Sequence, residues 1–201
     1  YMGKLLIATR NQGKVMEFSQ LFHNIPYELV SLDDEGITID VEETGSTFEE
    51  NARLKAKEYS RHSGLLTLAD DSGLEVDALN GRPGIRSARY GGDGLSDEAR
   101  VELLLSELSA VPWESRSARF YCVIALVSPS GYETTAHGSL DGIIGTSPKG
   151  NNGFGYDPVF YLERWRCTTA ELPPYEKNKL SHRGRAATQI FEILNDALLT
   201  I

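Results

Sequence analysis

Cysteine is nearly absent from this chain: of 201 residues only Cys122 and Cys167 carry a thiol. Two cysteines give no disulfide framework and no metal-ligand spacing, so a reducing, cytoplasmic compartment is expected. Long apolar runs are missing as well. No stretch approaches the roughly 18 consecutive apolar residues that a membrane helix needs, and no secretory signal is expected at the N-terminus. Nor is there an excess of positive charge. Lysine and arginine number 20 against 29 aspartates and glutamates, a net charge of -9, which argues against a nucleic-acid surface. A small anionic ligand is still compatible, because a few lysines and a bound cation reverse the sign locally. There is no internal repeat and no low-complexity linker. Tyr1, ahead of Met2, is set aside as an added residue, and one domain over residues 2–201 is expected. With 40% hydrophobic and 24% charged residues, the composition is that of a globular protein with a sizeable core.

The chain opens on Lys4-Leu5-Leu6-Ile7-Ala8-Thr9, which has the length and apolar density of a strand buried on both faces. Arg10-Asn11-Gln12-Gly13-Lys14 follows, and then Val15, Phe18, Leu21 and Phe22 recur at helical spacing. Strand, short polar loop and helix together make an anion site, to which Lys14 adds a charge. The spacing is not that of a Walker loop. Tyr27–Leu32 reads as a second strand and Ile37–Val41 as a third extended piece. Ser46 or Thr47 caps the next helix, with Glu49 completing a capping box if the cap is Ser46. In that helix Asn51 and Lys55, four apart, share a face.

Leu65–Ala69 is a short apolar run that leads into Asp70-Asp71-Ser72-Gly73. Two adjacent carboxylates point to opposite sides if a strand continues, or share one rim if the chain turns. All three residue types favour turns, and a hairpin turn is the expectation, with Asp71 held accessible for a metal or for base chemistry. Further on, Ser96 caps a helix striped by Val101, Leu104, Leu105 and Leu108. Arg119–Ser128 and the return from Tyr132 to Ile144 form a hairpin through Pro129-Ser130-Gly131. The loop Pro148–Pro158 holds Phe154 and Tyr156 between glycines, a pattern that can stack a nucleobase or pack on the core. Val159-Phe160-Tyr161 is a short strand. The last helix, capped by Ser181 and striped by Ala187, Ile190, Phe191, Leu194 and Leu198, carries His182 and Arg183 in its first turn. The helix dipole disfavours cations there, and a broken local rule often marks a site.

Six motifs stand in one order: Thr9-Arg10-Asn11-Gln12-Gly13-Lys14; Glu43-Thr44-Gly45 with Phe48-Glu49-Glu50-Asn51; Ala69-Asp70-Asp71-Ser72-Gly73-Leu74; Pro83-Gly84-Ile85-Arg86-Ser87-Ala88-Arg89-Tyr90; Gly153-Phe154-Gly155-Tyr156-Asp157-Pro158; and Ser181-His182-Arg183-Gly184. The series spans nearly the whole chain and closely resembles the inosine/xanthosine triphosphate pyrophosphatase family. One departure is Arg10, where many members carry a small or uncharged residue. The resemblance implies an α/β fold, with a long mixed sheet flanked by helices and two lobes with a substrate cleft between them. It implies Mg²⁺-dependent hydrolysis of ITP, dITP and XTP to the monophosphate and pyrophosphate, by a homodimer that needs neither nucleic acid nor membrane. Position by position, Asp71 matches the general base, and Glu42 with Asp71 the metal site. Thr9, Arg10, Asn11, Gln12, Gly13 and Lys14 match the phosphate loop, with Asn51 and Lys55 facing the same triphosphate. Ser72 matches a substrate contact; Phe154, Gly155, Tyr156, Asp157, Lys177, His182 and Arg183 match the base pocket.

That chemistry is coherent. Hydrolysis at the α-phosphorus needs charge neutralisation more than covalent catalysis, so Mg²⁺, Lys14 and Lys55 carry most of it. Hypoxanthine and xanthine present a 6-keto acceptor where adenine has an amino donor, so donors such as Lys177 or Arg183 favour the keto bases. Two other readings compete: a pyrophosphatase of different base preference, for example for modified pyrimidines, and a nucleotide-binding module without turnover.

Overall fold

The computed structural model describes residues 3–196. Tyr1, Met2 and the Leu198 end of the last helical stripe lie outside the described residues. The fold is α/β, with a mixed sheet of seven strands in the order β2-β1-β3-β4-β5-β6-β7. Its chain divides into two compact units, one of residues 1–71, 122–138 and 183–201, the other of 72–121 and 139–182.

In the first unit, β1 (Gly3–Ile7) and β2 (Tyr27–Ser31) run parallel, joined through α1 (Gln12–Leu21). α2 (Phe48–Ser63) leads to β3 (Leu66–Val76), whose Leu66–Leu68 pair in parallel with Leu5–Ile7. Leu5 and Leu6 are both fully buried, so adjacent residues of β1 cover opposite faces. The core of this unit joins Phe18 and Phe22 of α1, the β1 and β3 residues Leu5, Ile7 and Leu68, and Ile190 and Leu194 of the last helix.

Two sequence expectations change here. Ile37–Val41 is not a strand; residues 37–45 have no regular structure. Thr47 rather than Ser46 caps α2, its side chain accepting from the Glu50 N–H, while Glu50 reaches back to the Ser46 N–H at 2.7 Å. The reciprocal box expected of Ser46 and Glu49 is not formed: the cap is Thr47, and Glu50 takes the N–H of the residue before that cap.

The larger correction concerns Asp70-Asp71-Ser72-Gly73. There is no turn: β3 runs unbroken for 11 residues from Leu66 to Val76. Turn preference is overridden because each carboxylate finds its own charged or amide partner on a different side of the strand, as described below.

The second unit contains α3 (Asp97–Glu107), capped by Ser96, whose hydroxyl accepts from the Ala99 N–H at 3.2 Å. β4 (Ser117–Val127) and β5 (Glu133–Ile144) are joined by the expected turn, where Gly131 takes φ 98°. β6 (Phe160–Leu162) pairs antiparallel with β5 and with β7 (Cys167–Thr168). α4 (Pro174–Leu180) precedes α5 (His182–Asn195). Leu74, Val76, Val101, Leu104, Leu140, Val159 and Phe160 form this unit's core.

Candidate active site

In the first unit the phosphate-loop sequence is built as a cap. The Thr9 hydroxyl accepts from the Asn11 N–H at 3.2 Å, and the Asn11 side chain accepts from the Lys14 N–H at 3.0 Å, starting α1 at Gln12. The positive end of α1 therefore opens at the loop that follows β1, with Gln12 and Gly13 in its first turn. The Lys14 ammonium lies 3.0 Å from the Asp70 carboxylate. Arg10 points elsewhere, its guanidinium donating to the carbonyls of Ile37 and Ile39.

Because β3 continues, Asp70 and Asp71 occupy different surroundings. Asp70 is 1% exposed and meets Lys14 and, at 3.3 Å, Arg183. Burial alone would raise its carboxyl, but Lys14, Arg183 and Lys55 outweigh it and hold Asp70 well below the usual carboxylate range. Arg183 is buried too, salt-bridged to Glu17 at 2.6 Å and stacked over Phe18. A cation in the first turn of α5 is tolerated because two carboxylates neutralise it.

Asp71 is 5% exposed. Asn51 of α2 donates to it at 3.0 Å, and the same amide's oxygen accepts from the Gly45 N–H at 2.8 Å. A side chain at Gly45 would bring a Cβ within 2.6 Å of that oxygen, so only glycine fits. Lys55, one turn on from Asn51, donates to Glu43 and to the Asp70 carbonyl and lies 3.9 Å from Asp71. Burial, with a further push from Glu43, raises the Asp71 carboxyl to about 6, against the pull of Lys55 and Lys14. Lys55, although burial disfavours its charge, is raised by Asp71, Glu43 and Asp70 and stays protonated. A buried carboxylate that titrates near neutrality and is oriented by an amide has the properties of a general base.

Glu42, expected as a metal ligand, is exposed; the carboxylate brought to Lys55 and Asp71 is that of Glu43. Mg²⁺ binds through one or two carboxylates plus substrate phosphates. Asp71 and Glu43 fit it: both carboxylates face the Lys55 ammonium, and Glu43 makes Asp71 costlier to ionise, a cost that a cation relieves. No group of three or more His, Cys, Asp or Glu among the described residues could hold a metal, so water, or phosphate oxygens once substrate is bound, would complete the shell.

The second unit gathers most of the residues expected at the base. The buried Asp157 carboxylate accepts from the Phe154 N–H at 2.9 Å and the Thr169 hydroxyl at 2.8 Å, and pairs with Lys177. Lys177 lies over the Phe154 ring. The Gly155 N–H donates to Asp97 at 2.8 Å, and Phe154 and Gly155 wall a groove of about 490 Å³. Tyr156 is a core residue whose hydroxyl donates to the Ser87 carbonyl. His182, 5% exposed, stacks on Phe120 at 4.7 Å. Ser72 is half-buried on β3. Arg183 alone of this set falls in the first unit, on Asp70 and Glu17. Sequence reasoning missed Glu17, Phe120 and Thr169; each contributes through a partner distant in sequence, and no local pattern marks them.

A sheet of this order, with a capped strand–loop–helix junction beside a lysine-flanked aspartate, defines an α/β protein whose first helix start is suited to an anion. More narrowly, the chain belongs to the Ham1 family, whose model matches residues 5–193. It is 52% identical over 185 residues to a dITP/XTP pyrophosphatase of Geobacter sulfurreducens, covering 92% of this chain and 93% of that one. To the dITP/XTP pyrophosphatase of Bacillus cereus it is 47% identical over 193 residues, 95% and 94% of the two chains. Among solved structures, a HAM1 protein from Coxiella burnetii superposes with TM-score 0.88 at 41% identity, covering 98% of this chain and all of that one.

Proposed function

We propose that the chain hydrolyses non-standard purine nucleoside triphosphates, namely ITP, dITP and XTP, to the monophosphate and pyrophosphate, removing deaminated purines from the nucleotide pool. The observation that carries this reading is Asp71, buried, oriented by Asn51 and raised to about 6, with Lys55 and Lys14 nearby. The dITP/XTP pyrophosphatase names of relatives about half identical over almost the full length support the substrate class.

In this mechanism the start of α1, with the N–H groups of Gln12 and Gly13 and the Lys14 ammonium, takes the phosphates. Lys55 adds a second cation beside Asp71. Glu43 and Asp71 would hold Mg²⁺, which when bound neutralises charge on the phosphate oxygens. Asn51 fixes the Asp71 carboxylate so that it orients and deprotonates the attacking water. Asp70 does not meet the water; its buried charge holds Lys14 and Arg183. On the base side, Phe154 offers a ring to stack and Lys177 a donor for a 6-keto oxygen, leaving the adenine amino group facing a donor. We take the working form to be a cytoplasmic homodimer, without nucleic-acid or membrane partners; sedimentation velocity tests the dimer.

The deciding experiment measures pyrophosphate release with Mg²⁺ across ITP, XTP, dITP, GTP, ATP and dUTP. Pyrophosphate from the first three is the expected result. Orthophosphate would mean an ordinary phosphatase, dUTP preference a pyrimidine enzyme, and no release a binding module.

A further inference from the structure

Arg10 stands where the resemblance leads one to expect a small or uncharged side chain, and its guanidinium is committed to backbone. Nη2 donates to the carbonyls of Ile37 and Ile39, each at 2.9 Å. Nη1 lies 3.6 Å from the exposed Asp33 carboxylate. The Tyr59 hydroxyl of α2 donates to the same Ile39 carbonyl at 3.4 Å. These carbonyls belong to the segment 37–45, which has no regular secondary structure. Such a segment lacks a ladder of its own, and side chains must fix its course. A few residues on, it delivers Glu43 to Lys55.

We propose that Arg10 is a positioning residue for Glu43: it ties the loop that begins at Thr9 to residues 37–43 and so sets where the Glu43 carboxylate stands for the metal. The inference rests on the reading of Glu43 and Asp71 as the Mg²⁺ site. Arginine suits the task because one terminal nitrogen carries two N–H groups at fixed angles, matched here to two carbonyls, and it stays charged throughout the working pH range. Lysine has donors but no fixed geometry. The same residue read as a phosphate ligand would act on the nucleotide instead, and the two roles separate experimentally.

Arg10→Ala and Arg10→Lys are made in the whole chain, with Glu43→Gln as reference. Hydrogen exchange of the 37–43 amides and Mn²⁺ binding, followed by the electron-spin signal of free Mn²⁺, are read without nucleotide. The Mg²⁺ activation constant and the KM for dITP at saturating Mg²⁺ are read with it. For Arg10→Ala we expect faster exchange over 37–43 and Mn²⁺ affinity and Mg²⁺ activation weakened on the order of 10-fold, the low end for groups that orient metal ligands. The KM at saturating Mg²⁺ stays within about twofold, Arg10→Lys recovers only part of the loss, and Arg10→Ala adds nothing to Glu43→Gln. Unchanged exchange and Mn²⁺ binding overturn the proposal. So does a raised KM with an unmoved Mg²⁺ constant, which would make Arg10 a phosphate ligand, or Mn²⁺ binding indifferent to Glu43→Gln. Should the wild-type protein release no pyrophosphate, the functional reading fails, while exchange and Mn²⁺ binding still decide the role of Arg10.

Discussion

Asp71 works against the stability of its own fold. Its carboxyl titrates at 3.8 when unperturbed and about 6 in the folded chain. Between those values the folded state keeps a proton that the unfolded state has released, so stability falls as pH rises through the window and stays lowered above it. Asp71→Asn is therefore expected to stabilise the metal-free protein at pH 7 by about 1–3 kcal/mol, with no gain below about pH 4. Thermal melting at the two pH values checks this, and a destabilised variant at pH 7 would contradict it. Asp70 has the opposite sign. Its folded value lies below 3.8, so its contribution is full above that pH and drains away as pH falls toward the folded value. Asp70→Asn leaves Lys14 and part of the Arg183 charge uncompensated in the interior. We expect a loss of about 3–5 kcal/mol by urea unfolding at pH 7; a wild-type midpoint would contradict it. At this scale the sequence was legible in residue type more than in geometry. That Asp71, Asn51 and Lys55 lie together was legible from the motif resemblance and from the four-residue spacing in α2. Which of Glu42 and Glu43 joins them was not, because an irregular segment gives adjacent residues no rule for which one faces inward.

Elements show where local preference yields to tertiary partners. Asp-Asp-Ser-Gly is turn-forming by composition, yet β3 passes straight through it because Lys14, Arg183, Asn51 and Lys55 supply what a turn would have left to water. Helices α1, α2, α3 and α5 follow the expected apolar periodicity, since that signal is local, whereas α4 was not foreseen and the α2 cap falls at Thr47. Ile37–Val41 looked extended by composition, but its carbonyls at 37 and 39 are taken by an arginine rather than by a strand. Gly45 links two elements, loop and α2, through Asn51. Gly45→Ala should push the Asn51 amide off Asp71, lowering kcat by a factor on the order of 10 while KM for dITP stays near wild type. A fall in kcat/KM carried wholly by KM would show that the amide orients substrate rather than Asp71.

For the whole molecule, the proposed function assigns a different task to each of the two units. The first holds the phosphate-directed charges, Lys14, Lys55, Asp70 and Asp71; the second holds Phe154, Asp157 and Lys177. Lys55→Met should lower kcat/KM for dITP and dATP by similar factors, whereas Lys177→Met should lower it mainly for dITP and shrink their ratio, on the order of 10-fold or more, as for a lost hydrogen-bond donor in a specificity pocket. Equal losses in both variants would contradict this division. The sheet class and the order of motifs were readable because apolar runs and motif order lie along the chain. The burial of Arg183 against Glu17, or of His182 against Phe120, depends on pairings 166 and 62 residues apart and was not readable. The central claim is that Asp71 performs the hydrolytic step without being needed to hold the triphosphate. Measuring dITP binding and turnover side by side in Asp71→Asn, at saturating Mg²⁺, tests it most directly. The account predicts retained binding with kcat lowered by a factor on the order of 10² or more, and near-normal turnover would contradict it.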